Sequence, residues 1–399
     1  MKSNIIILTL LLISNLGYTQ EKSHVLLVSF DGFRHDYVEK YNATNFKEFI
    51  KKGTAAEGLI PSFPSKTFPN HYSIITGLYP GNHGLVANTF YDPKRQANYR
   101  ISNRPLVEDP YYYGGTPLWQ LSREQGYKAA SYFWVGSEAP IKGHFPDYYH
   151  IYDGSVSNTT RIDEVIKWFQ LPEKDRPRFV SLYFSLVDSQ GHRTGPNSKE
   201  LENTVKEADQ VLGYLMKSLE TIDLPVNVIV VSDHGMKEVK NTDYVDFNEL
   251  SLKIPPYATV VYDKILSMVF LPSEDVDSIY ASLKTLEKNF KIYKKGDLPK
   301  KWHYNKHERI GDLVLVANPG FAFRKKKINE KITGEHGYDP YTTEQMQGIL
   351  YAQGPNINSG LTTEPIENVN IYPLITKILG FKNPKIDGKF RKIKAFYKK

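Results

Sequence analysis

The chain has 399 residues, of which 40% are hydrophobic and 24% are charged, and its formal net charge is +7. This composition is that of a globular protein, and the length suits two domains or one large α/β domain with an insertion. It excludes disordered, collagen-like and coiled-coil chains, and so small a basic excess gives no reason to expect binding to duplex nucleic acid. The chain has no cysteine, so any metal ion must be held by His, Asp and Glu.

The first twenty residues have the pattern of a secretory signal peptide. Lys2 supplies a positive charge, residues 5–12 are mostly apolar, and small and polar residues occupy positions 17–20. This apolar stretch is too short to span a bilayer, and no later stretch is long enough. We expect cleavage near residue 20 and a secreted or periplasmic protein without a transmembrane helix. A buried first strand or an uncleaved anchor is the alternative interpretation.

Three apolar runs, each followed by an aspartate, predict strands that are buried on both faces. They are residues 25–30 before Asp31, residues 179–187 before Asp188, and residues 226–231 before Asp233. Apolar residues at three- and four-residue spacing predict an amphipathic helix from Ser198 to Thr221. Strands that alternate with helices indicate an α/β fold with a mostly parallel sheet flanked by helices on both faces. Ligands bind such sheets at the carboxyl ends of the strands, where these aspartates lie.

The stretch from about residue 240 to 331 differs in composition from the rest. It contains several prolines, short strand-like pieces and a lysine-rich segment from Lys284 to Lys301. We predict an insertion or lid within a single domain that spans residues 21–399. The lysine-rich segment is expected to be a solvated face, and attraction of anionic substrates or a membrane surface is the alternative.

Five segments place Asp or His beside glycine or at the end of a predicted strand. Carboxylates and imidazoles are the ligands that zinc accepts where no thiolate is available, and an Asp-x-x-x-His pair can converge on one ion. Together the five segments predict a metal site. They are Asp31-Gly32, Pro64 to His71, Asp188 to His192, Ser232 to Met236, and Gly334 to Tyr338.

From Val25 to at least Tyr338, the chain resembles the nucleotide pyrophosphatase/phosphodiesterases of the alkaline phosphatase superfamily. The resemblance implies the alkaline-phosphatase-like fold. Val135 stands where the family more often has the proline of Trp-Pro-Gly-Ser. The motifs that carry the resemblance are residues 63–72 (Phe-Pro-Ser-Lys-Thr-Phe-Pro-Asn-His-Tyr), 76–80 (Thr-Gly-Leu-Tyr-Pro), 82–84 (Asn-His-Gly), Asn88 with 91–93 (Tyr-Asp-Pro), and 134–138 (Trp-Val-Gly-Ser-Glu).

The resemblance implies two zinc ions held by matched positions of this chain. We expect the other histidines to be structural or exposed, with His71 and His83 the best candidates for contacts to the ligands. One ion would be bound by Asp31, Thr67, Asp233 and His234, and the other by Asp188, His192 and His336.

Thr67 is the nucleophile that the resemblance implies. A threonine hydroxyl is a poor nucleophile unless its alkoxide is stabilised, and zinc coordination provides that. A helix predicted over Phe68 to Leu78 would direct backbone N–H groups at the phosphate, and Asn88 would donate to a phosphoryl oxygen. This implies two displacements through a threonyl-phosphate intermediate and a preference for diesters over monoesters. The alternative is that Thr67 only caps the helix.

The resemblance also implies a nucleotide clamp. The nucleotide-preferring relatives hold the base between two aromatic rings that match Phe68 and Tyr152 here. A lysine found in many relatives is replaced by Gly114, which weakens the expected grip on a triphosphate or a base. The sequence therefore predicts a secreted, zinc-dependent phosphodiesterase or nucleotide pyrophosphatase that acts on small-molecule substrates and releases nucleoside 5′-monophosphates.

Three alternatives remain open at this point. A choline-headgroup phosphodiesterase acting on lysophospholipids or glycerophosphocholine would need an aromatic and acidic cage around a quaternary ammonium. A sulfatase is disfavoured, because sulfatases of this superfamily use an oxidised cysteine or a serine in a pattern absent here. A catalytically inactive binding protein would keep the fold but usually loses a metal ligand.

Overall fold

The computed structural model describes residues 22–326 and 331–399 of the chain. The signal peptide predicted over residues 1–20 lies outside the described residues. Within the described ranges, none of the helices combines the length and the apolar character that crossing a bilayer requires.

The strands alternate with helices along much of the chain, as the sequence predicts. In chain order the strands are β1 (His24–Phe30), β2 (Thr54–Ile60), β3 (Thr89–Asp92), β4 (Ala97–Arg100), β5 (Ala129–Tyr132), β6 (Tyr148–His150), β7 (Phe179–Phe184), β8 (Val226–Val231), β9 (Lys237–Lys240), β10 (Tyr244–Asp246), β11 (Thr259–Val261), β12 (Leu266–Phe270), β13 (Phe290–Lys294), β14 (Leu313–Ala317), β15 (Ala322–Arg324), β16 (Ile332–Glu335), β17 (Gly348–Gln353), β18 (Leu361–Thr363) and β19 (Ile366–Glu367).

Along the chain, most of the α-helices follow one strand of the central sheet and precede another, and short 3₁₀ helices lie in the connections. In chain order they are α1 (Tyr37–Lys40), α2 (Thr44–Lys52), α3 (Thr67–Thr76), α4 (Pro80–His83), α5 (Arg104–Val107), α6 (Leu118–Glu124), α7 (Asn158–Phe169), α8 (Leu186–Thr194), α9 (Lys199–Leu219), α10 (Phe247–Ser251), α11 (Val276–Lys284) and α12 (Ile371–Leu379).

The central sheet has nine strands, with the order β18-β2-β17-β8-β1-β7-β5-β6 and with β19 also paired to β2. β8, β1, β7, β5 and β6 run parallel to one another, whereas β17 is antiparallel to its neighbours β8 and β2. The predicted mostly parallel sheet is confirmed. The two strands predicted at residues 25–30 and 226–231 are also confirmed. β1 begins one residue before the first prediction, and the bounds of β8 are those of the second.

Both faces of the sheet are covered, which is why the central strands are largely apolar. In β1 every residue is buried: Val25 and Leu27 pack in a core with residues of α3 and α12, whereas Leu26 and Val28 pack in a second core with residues of α2, α7 and α9. Alternate side chains of a strand point to opposite faces, so a strand with helices on both sides needs a continuous apolar run. The helix predicted from Ser198 to Thr221 is α9, and Ser198 caps it by accepting a hydrogen bond from the Leu201 N–H at 3.1 Å.

The stretch between about residues 240 and 331 carries a separate four-stranded antiparallel sheet with the order β11-β12-β14-β13. It has its own small core, in which Phe247, Leu313 and Phe323 are buried. β9 and β16 pair with each other at the two ends of this stretch. A role for this stretch as a lid stays a prediction.

Candidate active site

The three aspartates predicted at strand ends meet at one edge of the central sheet. β8, β1 and β7 are neighbours; Asp31 directly follows the end of β1, and Asp233 comes two residues after the end of β8. The third prediction needs a correction, because β7 ends at Phe184 and not at residue 187. A helix, α8, begins at Leu186, so Asp188 lies in a first helical turn, where residues four apart share a face. This turn aligns Asp188 with His192.

The first of two adjoining clusters consists of Asp31, Asp233, His234 and Thr67. The His234 Nε2 lies 3.5 Å from Asp31 Oδ1, 3.0 Å from Asp233 Oδ2 and 3.1 Å from the Thr67 hydroxyl oxygen. Both carboxylates and the imidazole are almost wholly buried. The His234 Nδ1–H donates to the carbonyl oxygen of Gly235, at 2.9 Å, and its Nε2 faces the carboxylates.

Asp188, His192 and His336 form the second cluster. Asp188 Oδ1 lies 3.4 Å from the Nε2 of His192 and 3.8 Å from that of His336, and the two Nε2 atoms are 3.1 Å apart. Each ring donates its Nδ1–H to a backbone carbonyl at 2.8 Å, from His192 to Gly334 and from His336 to Ser65. The two Nε2 atoms therefore face each other. The clusters adjoin, because the His234 and His336 rings stack with centroids 3.5 Å apart.

The donor set of the two clusters fits bound cations. Among the described residues, one buried oxygen each of Asp31, Asp188 and Asp233 has no hydrogen-bond partner. Burial and the charges of Asp233 and Asp188 raise the pKa of Asp31 well above its usual range. Burial keeps His336 neutral by lowering its pKa well below the usual value. A neutral His336 imidazole and carboxylates with unpartnered oxygens at such distances form a donor set that a divalent cation stabilises. Ligand atoms within 4.8 Å of one another form two groups of three that share His234, namely Asp31 with Asp233 and His234, and Asp188 with His234 and His336.

Thr67 is the first residue of α3, which ends at Thr76 with Gly77 in the left-handed region. The predicted helix is thus confirmed with slightly shifted ends. The Phe68 N–H donates to Asn88 Oδ1 at 3.0 Å, so this N–H is already paired and is not free for a phosphate. The contact brings Asn88 beside Thr67 and leaves its amide N–H₂ as the donor of that side chain.

His71 and Tyr183 both contact the first cluster, but only His71 was predicted from the sequence to lie near the metal ligands. His71 lies with its Nδ1 3.3 Å from Asp233 Oδ2, in keeping with its expected place near the ligands. His83 does not reach the clusters, since its Nε2 is 3.1 Å from the Ser73 hydroxyl and its Nδ1 accepts from the Leu85 N–H. The Tyr183 hydroxyl donates to Asp31 Oδ2 at 2.6 Å. Sequence reasoning missed Tyr183, although a tyrosine near the end of a buried strand was a signal.

A cavity of about 400 Å³ opens beside Thr67 and carries aromatic and polar walls. Phe68 and Tyr152 both line it, as the predicted clamp requires. Tyr152 is 43% exposed, and its ring meets Phe133 edge to face at 5.1 Å. Glu138 accepts from the backbone N–H of Tyr152 and from the guanidinium of Arg104, which also lines the cavity.

Gly114 does not line this cavity. Its N–H donates to the carbonyl oxygen of His83 at 2.9 Å, and a Cβ at this position would lie 2.8 Å from the same oxygen. The backbone here leaves no room for a side chain without a shift.

The chain has clear relatives among known proteins. Residues 25–339 match the profile of the family described as type I phosphodiesterase/nucleotide pyrophosphatase. The chain is 37% identical over 376 residues to a venom phosphodiesterase of Macrovipera lebetinus and 34% identical over 375 residues to human ectonucleotide pyrophosphatase/phosphodiesterase family member 1. These matches cover 91% and 90% of this chain but 44% and 40% of the two relatives, so the chain spans less than half of their length.

Other relatives are matched over most of their length. A bis(5′-adenosyl)-triphosphatase of Xenopus laevis is 34% identical over 361 residues, which is 89% of this chain and 77% of that protein. The solved structure of murine ectonucleotide pyrophosphatase/phosphodiesterase 5 is similar with a TM-score of 0.88 at 31% identity, over 94% of this chain and 100% of that one. An inactive variant of the murine protein, with alanine in place of a threonine, was solved in complex with AMP. The likeness confirms the expected alkaline-phosphatase-like fold.

Proposed function

The chain belongs to the type I phosphodiesterase/nucleotide pyrophosphatase family, and from that premise we propose that it is a secreted, zinc-dependent phosphodiesterase that releases nucleoside 5′-monophosphates. One observation carries the proposal. Thr67 belongs to the first of two clusters whose carboxylates have unpartnered oxygens. It also lines the cavity whose walls include Phe68 and Tyr152. A nucleophile, a cation-binding edge and an aromatic platform are the parts that hydrolysis of a nucleotide ester needs.

The two clusters provide the residues that would hold the metal ions. Two zinc ions, when bound, supply charge that stabilises an alkoxide and the oxygens of a phosphoryl group in transfer. As the family resemblance implies, one would be bound by Asp31, Thr67, Asp233 and His234, and the other by Asp188, His192 and His336.

The residues of the chain define two displacement steps. The Thr67 oxygen attacks phosphorus in line, forming a threonyl phosphate while the bond to the leaving oxygen breaks. Water then attacks the same phosphorus, which releases the nucleoside 5′-monophosphate and restores the Thr67 hydroxyl. The Asn88 amide donates to a phosphoryl oxygen. Because it is neutral, it suits the single charge of a diester.

The polar side of the cavity favours a nucleotide over a choline headgroup. Recognition of a quaternary ammonium uses aromatic faces together with negative charge. Glu138 is the carboxylate of the cavity wall beyond the metal clusters, and its two oxygens already accept from the Tyr152 N–H and the Arg104 guanidinium. The Arg104 charge beside it would also repel a cationic headgroup.

A comparison of chromogenic esters tests the substrate class. We expect a much larger kcat/KM for thymidine 5′-p-nitrophenyl phosphate than for p-nitrophenyl phosphorylcholine or for the monoester p-nitrophenyl phosphate. Preference for phosphorylcholine would refute the nucleotide assignment, and preference for the monoester would refute the diesterase assignment.

The variant Thr67→Ala tests the nucleophile. Turnover should be abolished while zinc content, measured on the purified protein, stays near that of the unaltered protein. Retained activity would rule out Thr67. Near-zero zinc in the unaltered protein would instead favour an inactive binding protein.

A further inference from the structure

A second cavity lies at the end of the central sheet opposite the candidate active site. Its volume is about 860 Å³, and residues at the start of three strands line it: His24 in β1, Lys128 before β5 and Arg178 before β7. The carboxyl ends of the same strands lead to Asp31, to the aromatic wall of the active-site cavity, and to Asp188. Since β1 has seven residues, at about 3.3 Å per residue the two cavities are separated by roughly 20 Å.

We call this second cavity the basic cavity, because positively charged side chains outnumber negatively charged ones in its lining. Asp147 is paired with Lys128 at 2.9 Å and lies 3.9 Å from Arg123, and Glu173 lies 3.7 Å from Lys22. Among the described residues, the other three basic side chains have no carboxylate within 4.0 Å. The side chains with formal charge that line the cavity are Lys22, Arg123, Lys128, Lys174, Arg176 and Arg178 against Asp147 and Glu173.

Arg178 is the fixed element of the basic cavity. It is only 8% exposed, and its Nε and Nη2 donate to the carbonyl oxygen of Ser23 at 3.2 and 3.1 Å. Its guanidinium lies 4.4 Å from the centre of the Tyr127 ring. These two bonds leave other N–H groups of the guanidinium for a ligand, and among the described residues no carboxylate lies within 4.0 Å of it. A buried guanidinium whose charge is not balanced is costly, and a bound anion removes that cost.

We propose that the basic cavity binds a small anion with several phosphate groups, such as a diphosphate or triphosphate chain. Its volume lies within the range of pockets that hold small molecules. A held guanidinium provides directed donors for phosphate oxygens, and the surrounding lysines and arginines match several charges spread along one ligand. Anions of this class are also what the proposed reaction consumes or releases, so the cavity gives the protein a second point of contact with them, remote from the chemistry.

Isothermal titration with inorganic tripolyphosphate at constant ionic strength tests this proposal. The protein is the zinc-loaded mature chain carrying Thr67→Ala, compared with the same protein after Lys174→Glu and Arg176→Glu. Lys51→Glu with Lys52→Glu is the matched control, because it changes net charge equally at two exposed residues outside the cavity. We expect the first pair to weaken binding roughly tenfold or more and the control pair to leave it within about twofold.

Several results would overturn the proposal. They are equal binding by all three proteins, equal weakening by both pairs of substitutions, and binding to phosphatidylglycerol vesicles without binding to tripolyphosphate. The first would mean that the probe binds elsewhere, such as at the metal clusters, the second that only net charge matters, and the third that the surface meets a membrane. If the double variant does not fold, Lys174→Gln changes one exposed side chain and should still weaken binding roughly threefold.

Discussion

Tyr183 offers the sharpest test of how the fold prepares the candidate metal site. Its buried hydroxyl donates to Asp31 Oδ2 at 2.6 Å, while the other oxygen of the same carboxylate is unpartnered and faces His234. The Tyr183 ring packs edge to face against His71, with centroids 5.2 Å apart. Tyr183→Phe removes the hydroxyl and keeps the ring, so the packing is preserved and the orientation of the Asp31 carboxylate is lost.

The expected magnitude follows from this single bond. A hydrogen bond to a charged group contributes about 1.5–3 kcal/mol, and removing a residue that orients a metal ligand lowers metal affinity about 10–100-fold. The two figures agree, since about 1.4 kcal/mol corresponds to a tenfold change in an equilibrium constant. We therefore expect Tyr183→Phe to weaken zinc binding about 10–100-fold.

Competition with a chelator, such as a zinc-binding dye, measures the zinc affinity. Measuring kcat/KM at limiting and at saturating zinc then distinguishes weaker zinc binding from a slower reaction of the zinc-loaded protein. Tyr72→Phe is the matched control. Its hydroxyl is also buried but has no hydrogen-bond partner among the described residues, so its loss should leave zinc affinity unchanged. An unchanged affinity in Tyr183→Phe, or an equal loss in both variants, would refute the argument that this bond orients Asp31.

Three further predictions concern the clamp, the packing of the inserted stretch and the response to pH. Tyr152→Ala should raise KM for the nucleotide ester. A loss of about 1–3 kcal/mol of stacking corresponds to a roughly 5–150-fold higher KM. An unchanged KM would show that Tyr152 is not part of the clamp. Arg309 is buried and donates from Nε to Asp92 Oδ2 at 2.8 Å, so Arg309→Ala should lower the free energy of unfolding by about 3–5 kcal/mol in urea denaturation. The more exposed Arg95, which pairs with Asp109, is its control, and Arg95→Ala should lower the free energy of unfolding much less. Burial lowers the pKa of His83 to about 3 from 6.5, so the stability given by its neutral ring is present above pH 6.5 and is lost as the pH falls toward 3. Replacing it by His83→Gln should reduce the loss of unfolding free energy between pH 7 and pH 5 by about 2 kcal/mol, and an unaltered pH profile would contradict the shift.

The residues of the candidate site were predictable because their signals are local. Asp31 and Asp233 come within two residues of the ends of apolar runs, and parallel strands bring such positions to one edge of a sheet. The Asp188 and His192 pair was found by its spacing, although the strand before it was predicted too long. A buried apolar run cannot by itself show where strand gives way to helix, because both states bury the same side chains.

Contacts between distant segments were not predictable in this way. The bond from Tyr183 to Asp31 joins residues 152 positions apart, and the bridge from Glu138 to Tyr152 and Arg104 joins three separate segments of the chain. The basic cavity also escaped sequence reasoning. Its lysines and arginines are scattered from Lys22 to Arg178 and form no charge run, and only the parallel alignment of β1, β5 and β7 gathers them.

The sequence by itself therefore determined the α/β fold and the chemical groups of the candidate site. Periodicity, strand-terminal aspartates and the absence of cysteine are properties of short stretches and of composition. The tertiary structure alone decided how these groups are oriented, which oxygens stay unpartnered, and where charge accumulates away from the site. The reason is physical: hydrogen-bond geometry and electrostatic fields depend on distances between atoms far apart in the chain, and only the packed fold sets those distances.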